Sequence, residues 1–143
     1  QSRAPQQLPL LDDVPSASPA LSRASKLQKR AAPVGLDWPD ALPVLDKVRE
    51  ELDEVLEAMA ADDPAAIADE LGDLLFAVVN LTRHLKVDAE TALRQASAKF
   101  ERRFRGIEQR LRERGVAIEN CSLEQLDGIW AEVKQQEKAA FGC

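Results

Sequence analysis

Four carboxylates stand in two i, i+3 pairs: Glu51 with Glu54 inside Glu50-Glu51-Leu52-Asp53-Glu54, and Glu70 with Asp73 inside Glu70-Leu71-Gly72-Asp73. Residues three apart on a helix share a face, so each pair sets two oxygen donors side by side, the ligand type that hard divalent cations take. Acidic residues on an amphipathic helix are usually a solvated face, supported by partners of opposite charge one turn away. From Glu50 through Asp73, however, there are ten Asp or Glu and no Lys or Arg. Like charges at that density repel unless a cation intervenes, so the composition of this stretch argues for a metal.

The donor type narrows the choice of metal. The cluster offers carboxylate oxygen alone, with no Cys and no Glu-x-x-His pair, which favours Mg²⁺ or, as a substitute, Mn²⁺. The single histidine, His84, is eleven residues beyond Asp73, about 16 Å along a helix at 1.5 Å per residue, and reads as structural rather than catalytic. Magnesium held by a few carboxylates keeps positions open for water and substrate phosphates. That points towards nucleotide chemistry.

Two helices must position these groups. Ala61-Asp62-Asp63-Pro64 reads as a short turn with Asp63 as N-cap and Pro64 at the first helical position, which predicts an antiparallel helical hairpin. The centres of the two acidic pairs are equally far from Asp62, about 14 Å along each helix, so all four carboxylates are expected at one level. At about 100° per residue, Val44, Leu45, Val48, Leu52, Val55, Leu56 and Met59 form one apolar arc with Glu51 at its edge and Glu54 next out. Asp53 and Glu57 fall on the solvent side. Glu50 is intermediate and suits a supporting group or a base that activates water. On the second helix Ile67, Leu71, Leu74, Leu75, Val78 and Leu85 make the expected buried arc, bordered by the stripe Glu70, Asp73, Ala77 and Asn80.

A third helix is expected from near Asp88, with Leu93, Ala96, Phe100, Phe104, Ile107 and Leu111 as its apolar arc. Residues 99–114 carry seven basic and three acidic side chains. Lys99 and Arg103 border the arc and have the chemistry to clamp phosphate oxygens, whereas Arg102, Arg105 and Arg112 point outward as ordinary solvated surface does. A last helix starts at Ser122, where Ser122 and Gln125 form a capping box, and buries Leu123, Leu126, Trp130 and Val133. Lys134 is one turn beyond Trp130. An indole beside an ammonium can stack on a base and hold a phosphate, yet a Trp on an apolar stripe is by default core; the spacing leaves both readings open.

The rest of the chain fits one compact helical domain without a sheet: 143 residues, 45% hydrophobic, 4% aromatic with no Tyr, and six Gly mostly near expected helix ends. A formal charge of −6 argues against a nucleic-acid or anionic-membrane binder. Residues 1–19 hold four Pro with Ser and Gln and no periodicity, as expected of a flexible linker or tail without core, and the catalytic helical domain is expected over 20–143. The missing initiator Met suits a fragment preceded by more chain. Ala20 to Ala32 reads as a short basic helix stopped by Pro33 and Gly35. There is no signal-peptide run and no span of about 18 apolar residues, so the expected location is cytoplasmic. Cys121 and Cys143 form neither a disulfide framework nor a zinc site by spacing.

Taken in order, Glu50-Glu51-x-x-Glu54, Glu70-x-x-Asp73, Lys99-Phe100-Glu101-Arg102-Arg103-Phe104 and Trp130-x-x-x-Lys134 resemble the MazG family of nucleoside triphosphate pyrophosphohydrolases over residues 20–137, in particular the C-terminal domain of its two-domain bacterial members. The resemblance implies an all-α bundle of about five helices completed by homodimerisation, with a higher assembly also compatible. It implies Mg²⁺-dependent hydrolysis of a nucleoside triphosphate between the α and β phosphates, giving a monophosphate and pyrophosphate. By the same match Glu51, Glu54, Glu70 and Asp73 would hold the metal, with Glu50, Glu51 and Glu54 forming the catalytic set. Lys99, Arg103 and Lys134 would bind phosphates and Trp130 the nucleotide, with Asn80 and Arg102 as further candidates. Two other readings differ in class: a non-catalytic helical dimerisation or regulatory module, which needs no metal, and a related all-α hydrolase of deoxyuridine triphosphate.

Overall fold

The computed structural model describes residues 9–141. Among these there are five α-helices and no strand: α1 (Ala20–Ala31), α2 (Ala41–Ala60), α3 (Pro64–His84), α4 (Ala89–Arg114) and α5 (Leu123–Phe141). Short 3₁₀ turns follow α1 at Ala32–Val34 and precede α5 at Ile118–Asn120. The chain forms two compact units whose boundary falls within α4, the first ending at Ala92 and the second beginning at Leu93. No helix among the described residues is long and apolar enough to cross a membrane.

The α2–α3 hairpin is the framework of the first unit. Asp63 accepts hydrogen bonds from the backbone N–H of Ala65 and Ala66, satisfying donors that a helix start leaves orphaned, and Pro64 takes the position where no N–H is needed. A three-residue turn leaves the two helices no option but to run back along each other. Asp62 turns the chain with φ of 52°, in the left-handed region that Asp tolerates better than most residues. Val44, Ala58, Ala77 and Val79 are the buried apolar positions of the pair.

The expected arcs are wider than the burial they receive. Val44 is fully buried and Leu45, Val48, Val55, Ile67 and Leu74 half-buried, but Leu52, Leu56, Met59, Leu71, Leu75, Val78 and Leu85 are exposed. One helix facing another covers a single stripe, and these helices are apolar around a broader sector. Two small residues, Ala58 and Ala77, are buried where larger side chains of the arc are not.

Helix α1 packs against α3. Gln28 is buried there and its Nε2 donates to the Phe76 carbonyl at 2.9 Å. Residues 9–19 make turns, and Val14 is buried, so this proline-rich stretch does bury one side chain; residues 1–8 of the expected tail lie outside the described residues. Asp88 starts α4 by accepting from the Thr91 N–H at 2.9 Å and its hydroxyl at 2.7 Å.

In the second unit the core is Ile107 and Leu111 of α4 with Ile129 and Val133 of α5. Helix α4 ends in a Schellman turn: Val116 N–H donates to the Leu111 carbonyl and Gly115 N–H to that of Arg112, with Gly115 at φ of 68°. The expected capping box is present, Gln125 N–H bonding Ser122 Oγ at 3.1 Å and Ser122 N–H bonding Gln125 Oε1 at 2.8 Å. Leu126 and Trp130 are half-buried, but Leu123 is exposed, as are Leu93, Ala96, Phe100 and Phe104 of the expected α4 arc. Leu123 stands at the first position of its helix, before the α4 face that covers Ile129 and Val133.

Candidate metal centre

Helix α2 contributes Glu51 and α3 contributes Glu70 and Asp73, one turn apart, and a carboxylate oxygen from each lies within 4.8 Å of the others. The hairpin thus closes the two halves of the motif onto one point, as the equal spacing from the turn requires. Glu51 is buried, Glu70 half-buried and Asp73 exposed, so the group opens to solvent on the α3 side. Glu54 is exposed and stands outside this trio, yet its charge reaches it. The Glu70 carboxyl is raised above its ordinary 4.5 by desolvation first, and then by the charges of Glu54, Asp73 and Glu51. Glu50 is exposed and also outside the trio.

The acidic stretch is not without a cation of its own. Lys47, three residues before the stretch begins, reaches Glu51 at 3.1 Å and Glu50 at 3.8 Å. Glu51 holds the Lys47 ammonium above its ordinary value by a hydrogen bond and by charge. The expected absence of i, i+4 ion pairs is therefore corrected at one position, where a helical turn carries the partner into the stretch from outside it. One ammonium against this many carboxylates leaves the group strongly negative. Three oxygen donors without nitrogen or sulfur, facing solvent on one side, fit a hard divalent cation that retains open positions.

Beside the carboxylates is a cavity of about 260 Å³ lined by Trp38, Lys47, Glu51, Asp73, Phe76 and Asn80. Asn80 is buried, and its side-chain oxygen accepts from Arg83 Nε at 3.1 Å and Nη2 at 2.7 Å. Asp37 completes this network, accepting from Arg83 Nη2 at 2.6 Å, approaching His84 Nε2 at 2.8 Å and capping the Trp38 N–H at 2.9 Å. Burial pushes the Asp37 carboxyl up, but the bonds from Arg83, His84 and Trp38 outweigh it and bring it down to about 2. His84 is half-buried in this network, paired with Asp37.

Trp38, Lys47 and Phe76 did not stand out in the sequence. Phe76 and Asn80 follow Asp73 at helical spacing, and Lys47 precedes Glu51 by four, so helical periodicity held the signal; Trp38 lies in a connection with no period.

The second unit gathers the other candidates. Arg103 stacks its guanidinium 5.6 Å from the centre of the Trp130 ring, whose neighbour Phe100 is 5.6 Å away. Glu137 pairs with Arg103 at 2.9 Å and with Arg102 at 3.3 Å, and these bonds hold its carboxyl below its ordinary value. Lys99 and Lys134 are exposed. Arg105 is exposed and bonded to Glu101 at 2.9 Å. Cys121 is a free thiol, and Cys143 lies outside the described residues.

Residues 42–106, which contain both acidic pairs and the start of the basic segment, match the MazG nucleotide pyrophosphohydrolase domain. The chain carries a MazG domain. It is 53% identical over 129 residues to a nucleoside triphosphate pyrophosphohydrolase of Escherichia coli K12, covering 89% of this chain and 49% of the relative. It is 45% identical over 116 residues to the nucleoside triphosphate pyrophosphohydrolase/pyrophosphatase MazG of Thermotoga maritima, covering 81% of this chain and 44% of that protein. An uncharacterized protein of Bacillus subtilis, YabN, is 45% identical over 130 residues, 90% of this chain and 27% of the relative. The chain spans about half the length, or less, of the curated relatives it matches.

Proposed function

We propose that this MazG chain is a Mg²⁺-dependent nucleoside triphosphate pyrophosphohydrolase that cleaves between the α and β phosphates, releasing a nucleoside monophosphate and pyrophosphate. The observation that carries the reading is the convergence of Glu51, Glu70 and Asp73 on one point beside a cavity of about 260 Å³; the activity for which the E. coli and T. maritima relatives are named supports it. Mn²⁺ would serve as a substitute.

Glu51, Glu70 and Asp73 would hold the metal, with Glu54 as a fourth ligand. When bound, the ion supplies Lewis acidity to the phosphate and a more acidic water. Lys47 orients the Glu51 carboxylate towards its α3 partners. Glu50, exposed beside them, accepts the proton of the attacking water. Lys99, Arg103 and Lys134 neutralise charge growing on the phosphates and the leaving pyrophosphate. Trp130 and Arg102 are the proposed nucleotide contacts of the second unit, and Asn80 is that of the first. Glu137 occupies the Arg103 guanidinium until a phosphate competes for it.

The functional form is a homodimer. Leu52 and Leu56 on α2 and Leu71 and Leu75 on α3 are 52%, 63%, 43% and 61% exposed. An apolar stripe of that extent on two adjacent helices is what a second copy covers.

The test is a panel of nucleoside triphosphates with and without Mg²⁺, separating monophosphate plus pyrophosphate from diphosphate plus phosphate. Magnesium-dependent pyrophosphate release is expected. Diphosphate as the product, or dUTP as the sole substrate, would replace this reading with another phosphohydrolase, and absence of any metal-dependent turnover would favour a binding module.

A further inference from the structure

Asn80 is 6% exposed, and its Oδ1 accepts from two nitrogens of Arg83, Nε at 3.1 Å and Nη2 at 2.7 Å. A guanidinium has no acceptor, so these bonds fix which end of the amide is oxygen and which is nitrogen. Turning the amide over would set donors against donors. Arg83 is itself braced, because its Nη2 donates to Asp37 at 2.6 Å, and Asp37 is held in turn by the Trp38 N–H at 2.9 Å and by His84 Nε2 at 2.8 Å.

The other end of the amide, Nδ2, makes no hydrogen bond. Among the described residues, the buried side-chain polar atoms left unpaired are Arg23 Nε and Gln28 Oε1, so Asn80 Nδ2 is an atom that reaches accessible surface. Asn80 lines the cavity beside the carboxylates together with Glu51, Asp73, Trp38 and Phe76. An Asp in its place would hold Arg83 more strongly, as charge-assisted bonds do. What Asn has and Asp lacks is a donor facing away from the arginine.

We infer that Arg83, braced by Asp37, is a positioning residue that turns Asn80 Nδ2 into this cavity, where it donates to an acceptor oxygen of the nucleoside, in its sugar or its base. The inference rests on the proposed nucleotide hydrolysis and adds where the nucleoside end of the substrate is held. Asp73 and Asn80 are seven residues apart on one face of α3, about 10 Å along the helix, so a molecule with its phosphates at the carboxylates presents a different part of itself to Asn80. The neighbouring walls are the Trp38 and Phe76 rings, against which a phosphate would lose its water and a nucleoside would not suffer.

Calorimetry with UMP and with inorganic pyrophosphate, each in Mg²⁺, separates the nucleoside from the phosphates. Asn80→Asp keeps an acceptor for Arg83 and should melt no lower than the unaltered chain, yet bind UMP about tenfold or more weakly while pyrophosphate affinity stays within about twofold. Arg83→Lys keeps a charge for Asp37 without the planar fork. It should lose the same preference, and in combination with Asn80→Asp it should add little, as expected of a residue that acts through its neighbour. Losses that add in full, pyrophosphate weakened as much as UMP, UMP affinity unmoved by Asn80→Asp, or no measurable UMP binding by the unaltered chain would each overturn the inference. Ribose 5-phosphate locates the acceptor: a loss in Asn80→Asp matching that of UMP supports the inference with the acceptor on the sugar, and a loss confined to UMP supports it with the acceptor on the base. Pyrophosphate release from UTP, measured in parallel, keeps the two readings apart. Hydrolysis whose KM is unmoved by Asn80→Asp sinks the positioning role alone, whereas Asn80-dependent UMP binding without hydrolysis sinks the activity alone.

Discussion

Glu70 reports most directly on the electrostatics of the site, because its own desolvation and four other carboxylates raise its proton affinity. Its charge opposes folding in the metal-free protein. Glu70→Gln should therefore raise the melting temperature without Mg²⁺ and abolish the further rise that Mg²⁺ gives the unaltered chain; a Mg²⁺ shift that survives removes Glu70 from the ligand set. Glu54 is the sharper question, as an exposed neighbour of the trio. Glu54→Gln should lower turnover by at least about 100-fold, the scale on which metal-site partners act, with the helical circular-dichroism signal intact. Turnover at the level of the unaltered chain would leave Glu51, Glu70 and Asp73 as the protein's whole contribution. Asp37 carries a pH dependence: its carboxyl lies at about 2, below its ordinary 3.8. A depressed carboxyl stabilises the fold above its unfolded value and ceases to as pH falls through its folded value. Asp37→Asn should thus lower the melting temperature at pH 7, and its deficit should shrink between pH 4 and 2. A deficit independent of pH would assign the loss to packing around Trp38.

Two helical glycines make opposite predictions at the scale of elements. A Cβ on Gly106 of α4 would meet Val133 of α5 at 3.1 and 3.2 Å, whereas one on Gly128 meets nothing within 4 Å. Gly128→Ala should therefore stabilise by about 1 kcal/mol, the helix-propensity difference. Gly106→Ala gains the same propensity but overpacks against a buried, β-branched neighbour with few rotamers to retreat into, and overpacking costs about 1–3 kcal/mol. It should be net destabilising, and Val133→Ala in the same chain should recover part of the loss in a double-mutant cycle by chemical denaturation. Equal stabilisation by both alanines would mean that Val133 yields to the added methyl without cost.

For the whole molecule, the exposed leucines of α2 and α3 are the surface on which the proposed homodimer rests. Leu56→Lys with Leu75→Lys places charge in the middle of the stripe, and a homodimer held by it should dissociate, read as a halved mass by light scattering on a column. Because Leu56 and Leu75 are 63% and 61% exposed, the monomer should keep its helical signal. A mass unchanged from that of the unaltered chain would place the contact elsewhere.

How much of this was legible in the sequence follows from the range of each interaction. The hairpin, its Asp63 and Ser122 caps and the convergence of Glu51, Glu70 and Asp73 were determined locally: caps act within a turn, helical period is fixed, and a short turn forces two equal arms to meet in register. The acidic and basic motifs could likewise be read in order, since the match to the MazG domain rests on linear spacing. Tertiary structure alone decided which part of each broad apolar arc is covered, leaving Leu52, Leu56, Leu71 and Leu75 exposed while Ala58 and Ala77 are buried, because the stripe a neighbour covers depends on crossing geometry and side-chain size. It alone brought Trp38, Asp37 and Gln28 from α1 and its following connection to the face of α3. No periodicity links residues on different elements, and an unpaired acceptor such as Gln28 Oε1 exists only once packing has taken away its water.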